Sequence, residues 1–231
     1  MSAMPAAFLA SAIDLAGAAS VQDKRDKLVA INVLLEPDRR MIRTAVAWNA
    51  RLREQMPEGF ALDQTCRAHI TLLQLYVAAS DRDQIVAAVK ALAAAANLSA
   101  MKLMATGLYH TPLGLFGVQG ITIAPSKEIL ALQAKVIDAM MRFRRSDGGE
   151  AAFVPHPSEM PFVSFLVPYV ETFAETQAGD RFNPHVTTGA GPLPWLEARE
   201  REPFTPFTFG VDALAVYKVG NFGTASDKLG E

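Results

Sequence analysis

Two short stretches of this chain pair residues suited to moving a proton beside an anion. One is His69-Ile70-Thr71-Leu72 and the other is His185-Val186-Thr187-Thr188. Each opens a β-prone run, and strand side chains alternate faces. His and Thr two residues apart therefore share a face, about 7 Å apart along the strand. Ile70 and Val186 turn to the opposite side, toward a core. An imidazole takes up or gives a proton near neutrality, and a hydroxyl donates to an anionic oxygen. Two such pairs facing each other supply an acid, a base and two hydroxyl donors.

The other chemistry-bearing residues fit bland roles. His110 lies at the expected turn of a hairpin, and His156 sits between Pro155 and Pro157; both read as exposed loop residues. Cys66, the single cysteine, stands three residues before His69, which invites a thiol nucleophile. A lone cysteine is more often a buried small hydrophobe. A metal hydrolase built on His69, His110, His156 and His185 lacks carboxylate partners. No C-x₂-C, H-E-x-x-H or phosphate-binding glycine loop occurs, so neither metal nor cofactor is expected.

The elements that must position the two motifs follow from periodicity. Leu28–Leu35 is an apolar run broken only by Asn32, as in a buried strand. Met41, Ala45, Trp48, Leu52 and Met56 recur at helical spacing up to Pro57. The His69 strand follows and runs to about Val77. Ser80-Asp81 cap a second helix carrying Ile85, Val89, Leu92 and Ala96, stopped near Asn97. Met101–Leu108 and Leu115–Ile123 form a hairpin around Thr111-Pro112-Leu113-Gly114. Pro125-Ser126 open a third helix, with Ile129, Leu132, Val136, Met140 and Phe143 on one stripe. Arg142, Arg144 and Arg145 close it, where cations complement the helix dipole. Residues 144–180 are loop-rich, with a short helix over Phe162–Phe173 interrupted by Pro168, and read as a lid or insertion. After the second motif come a short helix over Trp195–Arg201 and a final strand over Phe207–Val219. The order β-α-β-α-β-β-α-β-β makes the fold α+β.

Length and charge bound the rest. The chain has 231 residues, a net charge of −2, a pI near 6.1 and equal shares of apolar and other residues. That suffices for one large domain over 27–231, after a leader or N-terminal tail over 1–26. No long basic run appears, which argues against duplex nucleic acid as partner. No run of 18 apolar residues appears, so no membrane span is expected. The expected compartment is cytoplasmic, with export through residues 1–20 as the other reading, and the expected state is a monomer.

The paired motifs, and Asn183-Pro184-His185-Val186-Thr187 above all, resemble the two-histidine (2H) phosphoesterase superfamily. The branch most similar is that of 2′-5′ RNA ligase-like proteins and cyclic phosphodiesterases. The resemblance spans roughly residues 27 to 229, with 144–180 matching poorly. It implies two pseudo-symmetric lobes of antiparallel sheet, with outer helices, around a central cleft. It also implies metal-independent opening of a cyclic phosphodiester, either a nucleoside 2′,3′-cyclic phosphate or an RNA end. His69 and His185 then act as acid and base in an order left open, and Thr71 and Thr187 bind the phosphate. Tyr217-Lys218 and Gly223-Thr224-Ala225 resemble the terminal strand and turn near that cleft. Tyr217 and Lys218 are thus candidate substrate contacts, though strand alternation allows only one of them a direct role. A phosphate- or nucleotide-binding module without turnover would use the same four motif residues, and stands as the alternative.

Overall fold

The structure, a computed structural model, describes residues 26–155 and 161–231. The expected leader or tail and His156 lie outside the described residues, save for residue 26. Strand β1, Leu28–Pro37, is buried along most of its length, because it is sandwiched between β2 (Ile70–Ala78) and β6 (Phe207–Val219). A strand covered on both edges and both faces has no polar side to show, hence its near-continuous apolar sequence.

Around it lies a seven-stranded antiparallel sheet in the order β2-β1-β6-β3-β4-β5, with β7 (Ala225–Gly230) beside β6. Strands β3 (Lys102–Leu113), β4 (Phe116–Ile123) and β5 (His185–Pro192) form the second half. The 13-residue β6 joins the halves. Its first residues, Phe207 to Gly210, pair with β3, and its remainder, Val211 to Lys218, pairs with β1. The motif strands β2 and β5 end the path, with four strands between them. A flat sheet would set them about 24 Å apart. They touch instead, so the sheet curls until its ends meet.

Helices cover the outer surfaces. α1, Arg39–Gln55, packs Met41, Ala45, Asn49 and Leu52 against β5. Asp38 caps it, accepting from the backbone N–H groups of Arg40 and Met41. Trp48 is half-buried beside the same core. α2, Arg82–Ala95, buries Ile85 and Val89, and α3, Lys127–Met140, buries Ile129, Leu132, Val136 and Met140. Ser126 caps α3 as its sequence suggests. Asp81 does not cap α2; its carboxylate is taken by Arg145 at 2.9 Å.

Two further expectations change. The hairpin is tighter than the sequence suggests, turning on Gly114-Leu115 with Gly114 at φ +83°. β3 therefore runs on through Pro112, and His110 sits within the strand opposite Gln119, its Nδ1 2.5 Å from Glu200. The arginines after α3 serve the next segment more than the helix end. Arg144 grips the Glu171 carbonyl at 2.6 Å and pairs with Glu175, so it clamps α4 (Leu166–Glu171) and α5 (Phe173–Thr176) in place. Arg145 ties its backbone N–H to the Tyr76 carbonyl on β2. α6, Leu193–Glu200, follows β5 directly. No helix among the described residues is long and apolar enough to cross a membrane.

Candidate functional site

A cleft of about 290 Å³ lies where the ends of the sheet meet, and His69, Thr71, His185 and Thr187 all line it. Their shared orientation comes from strand alternation up to each threonine. Beyond it, both strands carry a bulge. Thr71 pairs with Leu34 and Leu73 with Val33, which leaves Leu72 as an extra residue. Thr187 pairs with Gly120 and Gly189 with Gln119, which leaves Thr188 as an extra residue. A bulge bends its strand and resets which side chains face inward. On β2 this turns Gln74, three residues after Thr71, into the cleft as well.

Both histidines are tethered alike. His69 Nδ1 donates to the Arg67 carbonyl at 2.7 Å, and His185 Nδ1 donates to the Asn183 carbonyl at 2.7 Å. A carbonyl can only accept, so each neutral ring holds its proton on Nδ1 and offers the lone pair of Nε2. Burial pushes His69 down to about 4; the neighbouring His185 adds to this, while the Arg67 carbonyl works against it. Burial also lowers His185, again opposed by its carbonyl tether. His185 is half-buried, whereas His69 is only 8% exposed.

The two threonines differ in their partners. Asn32, fully buried on β1, stands opposite Gln74. Its Nδ2 donates to Thr71 Oγ1 at 3.0 Å and lies 3.1 Å from His69 Nε2. Thr187 has the hydroxyl of Tyr109 as its neighbour across the cleft wall. Tyr109 pairs with Gly120 and Gly120 with Thr187, so the ring crosses above the glycine to reach the threonine. A Cβ at Gly120 would lie 2.4 Å from Tyr109 Cε1, which explains the glycine.

The loop-rich segment supplies one wall. Phe165, just before α4, Tyr169 on α4 and Phe173 on α5 line the cleft with the motif residues. Gln133 on α3 donates both to the Leu72 carbonyl and to the Gln177 carbonyl, which fastens this wall to β2. The turn after β6 supplies the floor. Asn221 Oδ1 accepts from the N–H groups of Phe222 and Val163. Phe222, at φ 60°, is thereby held with its ring against Phe60.

Of the residues singled out in the sequence, the structure brings together His69, His185, Thr71 and Thr187. It keeps Tyr217 and Lys218 out of the cleft. Tyr217 is 1% exposed, packs against Leu34, Ala215 and Ala225, and donates its hydroxyl to Glu36. Lys218 pairs with Asp227 at 3.0 Å. Both lie too far back along β6; the following turn, through Phe222 and Gly223, is what meets the cleft. Cys66 is buried with Phe60 and Phe222, and burial pushes its thiol up to about 12, the state of a packed hydrophobe. Among the described residues no group of three or more His, Cys, Asp or Glu stands together as a metal site. Asn32 and Tyr109 carry no motif; the one signal for either is the polar break that Asn32 makes in an otherwise apolar strand.

No family model matches the chain, and no curated protein matches its sequence. Among solved structures, Kluyveromyces marxianus Usb1 is similar at 10% sequence identity and a TM-score of 0.35, over 89% of this chain and 99% of that one.

Proposed function

We propose that the cleft opens a cyclic phosphodiester by two-histidine acid–base catalysis without a metal ion. One histidine takes a proton from water as the water oxygen bonds to phosphorus. The other protonates the sugar oxygen whose bond to phosphorus breaks. Thr71 and Thr187 donate to the non-bridging oxygens, where charge grows in the transition state. The observation that carries this reading is the convergence of two tethered His-x-Thr units on one cavity. The halves that bear them, joined by β6, are read as two pseudo-symmetric lobes.

The lining narrows the substrate. Apart from the histidines, no Asp, Glu, Lys or Arg among the described residues lines the cleft, while Tyr109, Phe165 and Tyr169 do. Such a wall suits one phosphate with one stacked ring better than a polyanionic strand. A nucleoside 2′,3′-cyclic phosphate fits this description, and an RNA end fits it through its terminal nucleotide alone. The test is a panel of cyclic phosphodiesters incubated in EDTA, with His69→Ala and His185→Ala as blanks, followed by location of the phosphate in the product. Equal rates in wild type and blanks would overturn the enzyme and leave a binding module. Activity restored only by zinc or manganese would overturn the metal-free mechanism.

A further inference from the structure

The two motifs are alike in sequence and unequal in surroundings. Asn32 gives one amide group to both His69 Nε2 and Thr71 Oγ1. Among the described residues no side chain hydrogen-bonds the Nε2 of His185, whose ring packs edge to face with Tyr109. We infer that Asn32 is the positioning residue that divides the roles, holding His69 neutral as the base and leaving His185 as the acid.

The orientation of the amide follows from the tether. Since the Arg67 carbonyl takes the Nδ1 proton, neutral His69 has an acceptor at Nε2, and Asn32 must present its NH₂ there. The second amide hydrogen goes to Thr71 Oγ1. That occupies a lone pair of the hydroxyl and leaves its hydrogen for a phosphate oxygen. Protonated His69 would set N–H against N–H. To take a proton, Nε2 must part from this amide, and a half-turn about χ2 then offers Oδ1 to the new Nε2–H. Asn32 Oδ1 is buried with no hydrogen-bond partner, so it is available for that bond. The same half-turn makes Asn32 an acceptor for Thr71 and draws the hydroxyl hydrogen away from the phosphate. Grip on the phosphate at Thr71 and a neutral His69 are therefore one state of one side chain. Proton uptake by His69 loosens that grip as the product forms.

Little else in the cleft competes for this control. Of the titratable groups that line the cleft with His69, His185 on β5 acts on it directly, while burial raises the phenols of Tyr109 on β3 and Tyr169 on α4 far above neutrality. His185 is thus the one other imidazole there.

The kinetic consequence rests on the proposed acid–base function, and the titrations do not. The decisive experiment follows both histidine rings by ¹⁵N and ¹³C NMR against pH in the full chain, for wild type, Asn32→Ala and Asn32→Asp. In wild type His69 should hold its proton on Nδ1 and titrate below His185. In Asn32→Ala the His69 midpoint should rise by about one pH unit, tenfold in proton affinity, with that of His185 little changed. In Asn32→Asp the carboxylate should accept from Nε2–H and keep His69 protonated at pH 7. With a substrate in hand, the acidic limb of kcat/KM should move with His69 and the alkaline limb should stay. A wild-type His69 that titrates above His185 overturns the proposal without any variant. So does a folded Asn32→Ala in which His69 is unmoved, or in which both histidines move equally. If no substrate is turned over, the titrations still decide the role of Asn32, and only the catalytic reading falls.

Discussion

The rings of Tyr109 and His185 meet edge to face, with centroids 4.9 Å apart and planes inclined by 64°. Tyr109 thus braces the second histidine with its ring and sets its hydroxyl beside the second threonine. Tyr109→Phe keeps the ring and should lower kcat/KM by about 3- to 10-fold, the scale of one neutral hydrogen bond. Gly120→Ala drives a methyl group into the same ring, displaces it, and should cost more than Tyr109→Phe. Steady-state kinetics on both variants check the order; a harmless Gly120→Ala would remove Tyr109 from the site.

His69→Ala or His185→Ala should each lower turnover by about three orders of magnitude or more, and the double variant should be hardly worse than either alone. Thr71→Ala and Thr187→Ala should lose about 10- to 1000-fold, as expected for one donor to developing charge. The measurement is single-turnover hydrolysis of a 2′,3′-cyclic nucleotide.

The pH profile should be bell-shaped and centred on the acidic side of neutrality. The base must be neutral, which His69 is above about 4. The acid must be protonated, and His185 gives up its proton below its ordinary 6.5. Activity should therefore rise from about pH 4 and fall before or near pH 6.5, with both limbs properties of the coupled pair. An optimum above pH 8 would contradict these assignments.

The same shift links stability to pH. His69 binds a proton near 6.5 when unfolded and near 4 when folded, so between those values the unfolded chain holds more protons. Stability from this group is complete above about pH 6.5 and is lost as the pH falls toward 4. Urea unfolding at pH 7 and at pH 5 should show wild type losing more stability over that interval than His69→Ala.

Asp38 holds α1 to β6. Its carboxylate accepts from Arg40 N, Met41 N and Gly210 N. Asp38→Ala leaves three N–H groups without this partner and should cost about 1–2 kcal/mol or somewhat more, with Asp38→Asn recovering part of it. Chemical denaturation measures both.

The sequence by itself determined most of the elements, though not the short β7 after the last turn, and the shared face of each His-x-Thr pair. Met41, Ala45 and Leu52 specify a helix face, Ser126 starts α3, and the apolar run of β1 marks a strand covered on both sides. His69 with Thr71, and His185 with Thr187, share a face because side chains two apart in a strand must do so. These are local rules, read over a few residues. Tertiary structure alone decided what depends on curvature and on contacts distant along the chain. The curl of the sheet brought β2 to β5, which no local pattern encodes. The bulge at Leu72 turned Gln74 inward against simple alternation. Tyr217 and Lys218 fell on the wrong stretch of β6, because its long course spans both halves and only the turn beyond it meets the cleft. Asn32 stands 37 residues from His69, and the register of β1 on β2 is what makes the two one unit. That register is set by burial across the whole sheet, so the inequality of the two histidines lies in their neighbours and not in their motifs.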